Sequence, residues 1–311
     1  GDGIHFSRHT HRDMFEPAHY DRVYGSAIFK YSAPALTSFL TEFPGAVIGG
    51  TGTDSIWTVE QQIGGEYEHY DYSIYPDYEF SLGFTQRGCR LKCGFCVVPK
   101  KEGAPRAQAT IAQIWRGPGW PKKLCLLDND FFGQPRAEWQ ARIAEIHDGK
   151  FKVCFNQGLN VRLLDPEACA ALATIEYRDD QFQQRRLYTA WDNLGDEAIF
   201  MKGVDMLERA GIPSKHLMAY MLIGYDPKET LERIFRRFDA MVARGIKPYP
   251  MVYDGKRKDL KAFQRWVVTG LYRAVPWAEY RGKRESPLSK KPRRPSDYIG
   301  HLPDCSGVNI V

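Results

Sequence analysis

Three cysteines lie within eight positions of the 311-residue sequence, in the stretch Gly88-Cys89-Arg90-Leu91-Lys92-Cys93-Gly94-Phe95-Cys96. Zinc and iron–sulfur clusters select thiolate ligands, so three cysteines this close together indicate a bound metal. A fourth local cysteine would complete a structural site, but the next one along the chain is Cys125. Three alternatives follow: a zinc site with a distant fourth ligand, a [4Fe-4S] cluster with one iron open to a small molecule, or cysteines without a metal.

The spacing of these cysteines, with Phe95 directly before Cys96 and an apolar run at residues 80–84, resembles the radical S-adenosylmethionine (SAM) superfamily. The resemblance implies that Cys89, Cys93 and Cys96 hold three irons of a [4Fe-4S] cluster. SAM would chelate the fourth iron, with Phe95 beside the cofactor. An external electron donor would reduce the cluster, which cleaves SAM to methionine and a 5'-deoxyadenosyl radical. That radical abstracts a hydrogen atom from the substrate.

Strand-like apolar runs alternate with helix-length segments from Ser81 onward. The predicted strands cover residues 82–84, 124–127, 153–155, 187–191, 218–223 and 248–253, and the predicted helices cover 108–115, 137–147, 166–175, 196–210, 228–243 and 260–272. Asp165 before Pro166 is an N-cap arrangement, and Gly211 and Gly245 follow predicted helix ends. This alternation indicates parallel βα units. Six units match the partial, TIM-like (β/α)6 barrel of radical SAM enzymes, so we predict an α/β fold of that kind.

A strand, a helix and a second strand are predicted before the barrel, over residues 22–29, 34–43 and 46–52. This unit resembles the end of the Rossmann-like domain in the cobalamin-binding and methylthiotransferase-like branches of the superfamily. The sequence has no Asp-x-His-x-x-Gly motif for cobalamin and no cysteine before Cys89 for a second cluster. We therefore predict a truncated Rossmann-like half-domain and linker over 1–80, the barrel over 81–253, and a basic helix and tail over 254–311.

Chemistry in such barrels lies at the C-terminal ends of the strands. Asp128 and Asn129 follow the second barrel strand, and the resemblance places them where the family binds the SAM amino group. Gln157, after the third strand, carries an amide that can bind ribose hydroxyls or a base edge. Arg162 can pair with the SAM carboxylate in bidentate fashion.

The fourth and fifth barrel strands end in further candidates. Asp192 can bind the SAM ribose, or it can cap the helix that follows it. Ile223, Gly224 and Tyr225 are similar to the adenine-contacting segment of the family, with Gly224 at the point where the backbone would approach the purine.

The remaining cysteines are Cys125, Cys154, Cys169 and Cys305. Cys125 and Cys154 fall inside predicted strands and Cys169 on the apolar face of a predicted helix, where cysteine is a common small hydrophobe. None has a partner at ligand spacing, so we expect no second cluster. The alternative is that one of them donates a hydrogen atom to a product radical. The sequence names no other catalytic residue.

Positive charge is concentrated at the C-terminal end. The chain carries a net charge of +5, whereas residues 254–298 hold thirteen Lys and Arg against five Asp and Glu. Basic clusters interleaved with Trp and Tyr can neutralise phosphates and stack bases, so this segment predicts a nucleic-acid partner. The alternative is a solvated tail. The candidate contact residues are Lys256, Arg257, Lys258, Lys283 and Arg284.

The string around the cysteines, residues 83–89 and 96–103, is typical of a methylthiotransferase-like branch of the superfamily. Phage members of related type are implicated in hypermodifying thymidine in DNA, where a nitrogen-linked glycyl group is isomerised to a carbon linkage. The resemblance therefore implies an isomerase or nucleoside-modifying transferase, with DNA favoured over RNA. The alternatives are a peptide or small-molecule substrate, an RNA methylthiotransferase-like activity, and a zinc-stapled nucleic-acid-binding protein without catalysis.

Composition excludes a membrane-spanning protein. Hydrophobic residues make up 43% and charged residues 26% of the chain, and no apolar run approaches the ~20 residues that a span needs. The N-terminus lacks the pattern of a signal peptide. Clustered free cysteines suit a reducing compartment, so we expect a cytoplasmic protein. The sequence indicates no oligomeric state.

Overall fold

A parallel strand pair joined by a helix begins the described part of the chain. The computed structural model describes residues 10–12, 19–55, 61, 64, 72 and 77–280. Strand β1 (Tyr24–Ser26) pairs in parallel with β2 (Val47–Gly49), and helix α1 (Ala33–Glu42) crosses between them. Pro34 lies in the first turn of α1, where a residue without an N–H costs no hydrogen bond. The predicted strand–helix–strand unit is confirmed.

The remaining strands form two parallel sheets and one small antiparallel pair. Their bounds are β3 (Ser81–Gly83), β4 (Gln86–Arg87), β5 (Arg106–Ala107), β6 (Lys123–Leu126), β7 (Lys152–Phe155), β8 (Glu176–Tyr177), β9 (Leu187–Ala190), β10 (Leu217–Ile223) and β11 (Lys247–Val252). One parallel sheet has the order β3-β6-β7-β8 and the other β11-β10-β9, while β4 pairs with β5. The Leu159 N–H donates to the Tyr188 carbonyl at 2.7 Å and so joins the end of β7 to β9.

Helices follow or connect the strands of both parallel sheets, and one short helix, α2, connects β4 with β5. They are α2 (Val98–Lys101), α3 (Ile111–Ile114), α4 (Arg136–Asp148), α5 (Pro166–Thr174), α6 (Glu197–Arg209), α7 (Leu231–Ala243) and α8 (Lys258–Val268). The predicted N-cap at Asp165 is confirmed, because its carboxylate accepts the Ala168 N–H at 2.8 Å. Gly211 and Gly245 follow their helices with positive φ, as predicted.

The two faces of the sheets have different packing. Most of the core lies between the strands and the outer helices, and Leu124, Val153 and Leu217 are fully buried there. On the opposite face a smaller cluster is built from Cys125, Cys154, Phe182, Tyr188 and Met218. Residues on both faces of a parallel sheet are apolar, which explains why the strands appear in the sequence as continuous hydrophobic runs.

The edge strand β11 carries two prolines, Pro248 and Pro250. The Pro250 carbonyl accepts a hydrogen bond from Gln264 Nε2 of α8 at 3.0 Å, so this side of the strand faces the helix rather than β10. The N–H and C=O of one strand residue point to the same side, so the missing proline N–H groups also lie on the open edge. Helix α8 covers part of that edge.

The structure confirms an α/β protein with mostly parallel sheets. The six long strands and their helices agree with the predicted elements, whereas the two-residue strands β4, β5 and β8 were not predicted because so short a run shows no alternation. The partial barrel and the domain boundaries stay predictions. Along the described residues no helix has the length and hydrophobicity to cross a membrane.

Candidate metal centre and surrounding site

The cysteine-containing segment forms a loop that starts at the C-terminal end of β3. The β4–β5 pair closes its base, with Gln86 opposite Ala107 and Arg87 opposite Arg106. Gly88 begins the loop with φ +79°, and a Cβ there would lie 2.3 Å from the Ala104 carbonyl oxygen. Only glycine fits this position, because both the conformation and the close backbone approach exclude a side chain.

The three thiols of this loop are half-buried. Leu91 N–H donates to Cys89 Sγ at 3.4 Å. Burial raises the pKa of the Cys89 and Cys96 thiols, and the charges of the neighbouring cysteines raise each pKa further. Binding a metal would therefore release protons. Among the described residues, no three His, Cys, Asp or Glu side chains stand in a metal-holding arrangement.

The chemistry of this donor set fits a thiolate-ligated metal. Cys89, Cys93 and Cys96 are free thiols within one short loop, and none forms a disulfide. The Leu91 N–H already donates to the Cys89 sulfur, and hydrogen bonds to sulfur are among the features that tune iron–sulfur clusters. The loop supplies three ligands, so zinc or an iron–sulfur cluster would need one more from elsewhere.

Asp128, after β6, anchors the start of the cysteine loop. Its carboxylate is buried and accepts the Thr85 N–H at 2.7 Å, the Thr85 hydroxyl at 2.5 Å and the Gln86 N–H at 3.1 Å. Burial raises the pKa of Asp128 to about 7, and the hydrogen bonds oppose this rise. These donors belong to the protein itself, so Asp128 holds the loop to β6. Its predicted contact with the SAM amino group stays a prediction.

Asp130 anchors the middle of the loop through Arg90, which lies between the first two cysteines. The Asp130 carboxylate is 1% exposed and accepts Arg90 Nε at 2.7 Å and Arg90 Nη2 at 2.8 Å. The Gln86 side chain accepts the Asp130 N–H at 2.9 Å and donates to the Gly88 carbonyl at 2.8 Å. A bidentate pair of this kind fixes both distance and orientation.

Glu102, after α2, anchors the cysteine loop where the chain comes back past Gly88. Its carboxylate accepts the Gly88 N–H at 3.1 Å, Arg87 Nη1 at 3.2 Å and Asn129 Nδ2 at 2.7 Å. Asn129, predicted to contact SAM, thus donates to a protein carboxylate. Sequence reasoning missed the role of Glu102, Arg90 and Asp130. The alternation of acid, amide and acid at residues 128–130 was the available signal.

Asp192, after β9, approaches the cysteine loop from the other sheet. Burial raises the pKa of the Cys96 thiol, and the charges of Cys93 and of the Asp192 carboxylate raise it further. Asp192 Oδ1 accepts the Leu222 N–H of β10 at 2.9 Å, and burial raises the Asp192 pKa. The capping alternative for Asp192 is wrong: Asn193 caps the following turn by accepting the Gly195 N–H at 2.9 Å.

The two candidates after β7 are Gln157 and Arg162. Arg162 Nη1 forms an ion pair with Asp196 Oδ2 at 2.6 Å, and its Nε donates to Asn160 Oδ1 at 3.2 Å. Gln157 is exposed. The guanidinium is already paired, so a contact between Arg162 and the SAM carboxylate stays a prediction that requires this pair to be shared or broken.

A buried arginine of α7 organises the ends of β9 and β10. Arg237 Nη1 donates to the carbonyls of Trp191, Asp192 and Leu222 at 2.8–3.1 Å, and the guanidinium pairs with Glu229. The other Glu229 oxygen accepts the Gly224 N–H at 2.6 Å. This network, which sequence reasoning missed, holds Asp192 and Gly224 at the same edge of the sheets.

An exposed aromatic group lies beside the last cysteine. The Phe95 ring packs edge-to-face on Tyr225 with centroids 5.3 Å apart, and Tyr225 packs likewise on Tyr253 at 4.9 Å. A Cβ at Gly94 would lie 2.6 Å from the Tyr225 hydroxyl, so β10 and the cysteine loop meet here. The three rings expose 37–56% of their surface and offer faces to a ligand. Ile223, by contrast, is fully buried.

No family model, curated protein or solved structure matches the chain.

Cys125 and Cys154 differ from the isolated hydrophobes that the sequence suggested. They lie directly opposite each other on β6 and β7. That contact, together with burial, raises the pKa of Cys154. Burial raises the pKa of Tyr78, and the charges of Cys125 and Cys154 raise it further. Cys169 is fully buried on α5, as predicted, and Cys305 lies outside the described residues.

The predicted nucleic-acid contacts lie partly within the described residues. Lys256, Arg257 and Lys258 are exposed after β11. Arg257 pairs with Asp259 at 2.7 Å, which leaves the two lysines as the freer cations of this group. Lys283 and Arg284 lie outside the described residues.

Proposed function

We propose that the chain is a radical SAM enzyme that modifies a nucleobase in nucleic acid. The observation that carries this proposal is the cysteine loop: Cys89, Cys93 and Cys96 share one loop after parallel strand β3, and carboxylates fix this loop near its start, at its middle and where it returns. Such bracing suits a site whose ligands must keep one geometry. The proposal includes the finer fold, a partial (β/α)6 barrel preceded by a Rossmann-like half-domain.

Cys89, Cys93 and Cys96 would hold a [4Fe-4S] cluster. When bound with SAM and reduced by an external donor, such a cluster supplies the electron that cleaves SAM to methionine and a 5'-deoxyadenosyl radical. The chain's own residues would place SAM next to the thiols. Asp192 can accept hydrogen bonds from ribose hydroxyls, and the Phe95 ring offers an apolar surface beside them.

The proposed substrate is a base in DNA, favoured over RNA, in a cytoplasmic setting. Exposed Lys256 and Lys258 follow β11 directly, and the exposed Tyr225 and Tyr253 rings separate them from the cysteine loop. Cations next to exposed aromatic faces suit a nucleic-acid strand. Within this class, isomerisation of a glycyl-modified thymidine is the specific reaction that we propose.

Anaerobic reconstitution with iron and sulfide tests the class of enzyme. We expect about four irons per wild-type chain and reductive formation of 5'-deoxyadenosine from SAM. The Cys93→Ala variant should lose both, while Cys169→Ala, a buried cysteine outside the loop, should keep both. Tight zinc binding without SAM cleavage would overturn the proposal and indicate a zinc-stapled protein.

Mass spectrometry of nucleosides tests the substrate. DNA and RNA would be digested after expression of the wild-type chain or its Cys93→Ala variant in cells that hold the glycyl-modified thymidine. A product of unchanged mass and altered retention in DNA, present only with the wild type, is expected. An altered nucleoside in RNA would contradict a DNA substrate, and so would DNA and RNA nucleosides that are the same with the wild type and with the variant.

A further inference from the structure

A shallow pocket of about 260 Å³ lies where α8 meets the edge strand β11. It is lined by Tyr249, Lys261, Gln264, Arg265, Val268 and Thr269. Tyr249 comes from β11 and the other residues come from α8 or the residue after it. None of them belongs to the cysteine loop or to its bracing network, so the pocket requires a separate explanation.

The two cations of the pocket lie on one side of α8. Lys261 and Arg265 are four residues apart, so they lie on the same helix face, and both are exposed. Over the part of the chain that the structure describes, no carboxylate forms an ion pair with either. Like charges at this spacing repel each other, and an anion between them would relieve that repulsion.

These cations continue the basic group after β11. Lys258 is one helical turn before Lys261, and a Cβ at Gly255 would lie 3.8 Å from Lys261 Nζ. The Lys261 amine therefore reaches the loop that carries Lys256. Lys256, Lys258, Lys261 and Arg265 together make a basic track along the open edge of the sheet.

An apolar surface connects the pocket with the cysteine loop. Tyr249, Met251 and Tyr253 alternate along β11 and so point to the same face. Four residues of strand span about 13 Å. Tyr253 packs on Tyr225, which contacts Gly94 between the second and third cysteines. The distance from the pocket to the loop is thus bridged by exposed Met251 and aromatic rings.

We propose that this pocket binds a backbone phosphate of a nucleic-acid strand that runs along β11 to the cysteine loop. The inference rests on the proposed function for its substrate class. Lys261 would contribute a point charge and Arg265 a planar fork that can bind two phosphate oxygens. The Tyr249 ring and the apolar face of β11 would contact the bases, which bind to such surfaces without regard to sequence.

Binding of labelled single-stranded DNA to the full chain tests this proposal, with RNA of the same sequence and inorganic phosphate as separate probes. The variant is Lys261→Gln with Arg265→Gln. Its matched control is Lys202→Gln with Arg209→Gln, which removes two exposed cations from α6. We expect about tenfold weaker DNA binding and a salt dependence reduced by about 1.4 in slope for the pocket variant. The control should match the wild type, and thermal unfolding should confirm that both variants fold.

Equal DNA binding by the pocket variant and the control would overturn the proposal that this pocket binds a backbone phosphate. Competition by free phosphate or by an acidic peptide as strong as that by DNA would overturn a nucleic-acid strand as its occupant. RNA binding that depends on Lys261 and Arg265 to the same extent would support the pocket as a phosphate site. Mass spectrometry of nucleosides then distinguishes DNA from RNA as the substrate. Strand binding requires no cluster, so a failure to bind iron or cleave SAM would refute the proposed function while this binding result stands.

Discussion

The two sides of the candidate site are held by different sets of charged groups: carboxylates alone on the cysteine side, and a buried arginine with carboxylates on the β9–β10 side. On the cysteine side, the carboxylates of Asp128, Asp130 and Glu102 receive N–H groups of the loop. On the β9–β10 side, the buried Arg237 guanidinium donates to carbonyl groups of the strand ends. The carboxylates of Asp192 and Glu229 accept the Leu222 and Gly224 N–H groups on the same side. The sign of each bracing charge follows from the backbone groups that it must satisfy.

The largest effect is expected on the arginine side. Arg237→Met should lower the free energy of unfolding by about 3–5 kcal/mol, because Glu229 and three carbonyls would stay buried without their donor. Its neighbour Arg236, exposed and paired with Glu197, is the matched control. Arg236→Met should leave the free energy of unfolding close to that of the wild type, because water screens this exposed pair. Denaturant unfolding measures both, and equal losses would show that the buried network does not brace the strands.

The cysteine side should respond to pH through Asp128. Because burial raises its pKa from 3.8 to about 7, the native state keeps a proton that the unfolded state loses between these values. The wild-type free energy of unfolding should therefore fall as pH rises from about 4 to about 7, by at most ~4 kcal/mol. Asp128→Asn should remove this fall, since its amide can still accept from Thr85 N–H and donate to the Thr85 hydroxyl.

Unfolding of both proteins across this pH range checks the prediction, and the exposed Asp148→Asn is the control for a general change of charge. Parallel pH curves for the wild type and Asp128→Asn would contradict a protonated Asp128.

A smaller effect is expected at the start of the loop. Gly88→Ala should destabilise the protein by about 1–3 kcal/mol and lower its metal content, because its Cβ would collide with the Ala104 carbonyl. Gly103→Ala has a similar positive φ but no atom within 4 Å of the new Cβ, so it should cost about 1 kcal/mol and keep the metal. Metal analysis and unfolding measurements compare the Gly88→Ala and Gly103→Ala variants. Equal metal loss in both would contradict a role for the clash with the Ala104 carbonyl.

The smallest effect is expected for Arg90. Its side chain is 34% exposed, so water screens the Asp130 pair, and Arg90→Gln should cost about 1 kcal/mol. The buried Asp130 would lose its partner, so the loop should release metal to a chelator faster than the wild type does. Chelator competition at fixed protein stability measures this. An unchanged release rate would mean that Asp130 does not position the thiols.

The sequence predicted the long strands and helices well, because continuous apolar runs and capping residues are local signals. Asp165 before Pro166 is one example. The bracing network could not be predicted in the same way, since Asp128 and Thr85 are 43 residues apart and meet only when β3 pairs with β6. The Cys125–Cys154 contact likewise depends on strand register, which spacing along the chain does not reveal.

The prolines of β11 have a consequence for assembly. Exposed strand edges recruit strands from other chains, and proteins limit this with residues that cannot donate to a ladder. Pro248 and Pro250 remove two successive donors from the open side of β11, and Gln264 occupies the Pro250 carbonyl. A second chain could therefore not extend this sheet by regular pairing, and the edge stays available to ligands that do not bind by strand addition.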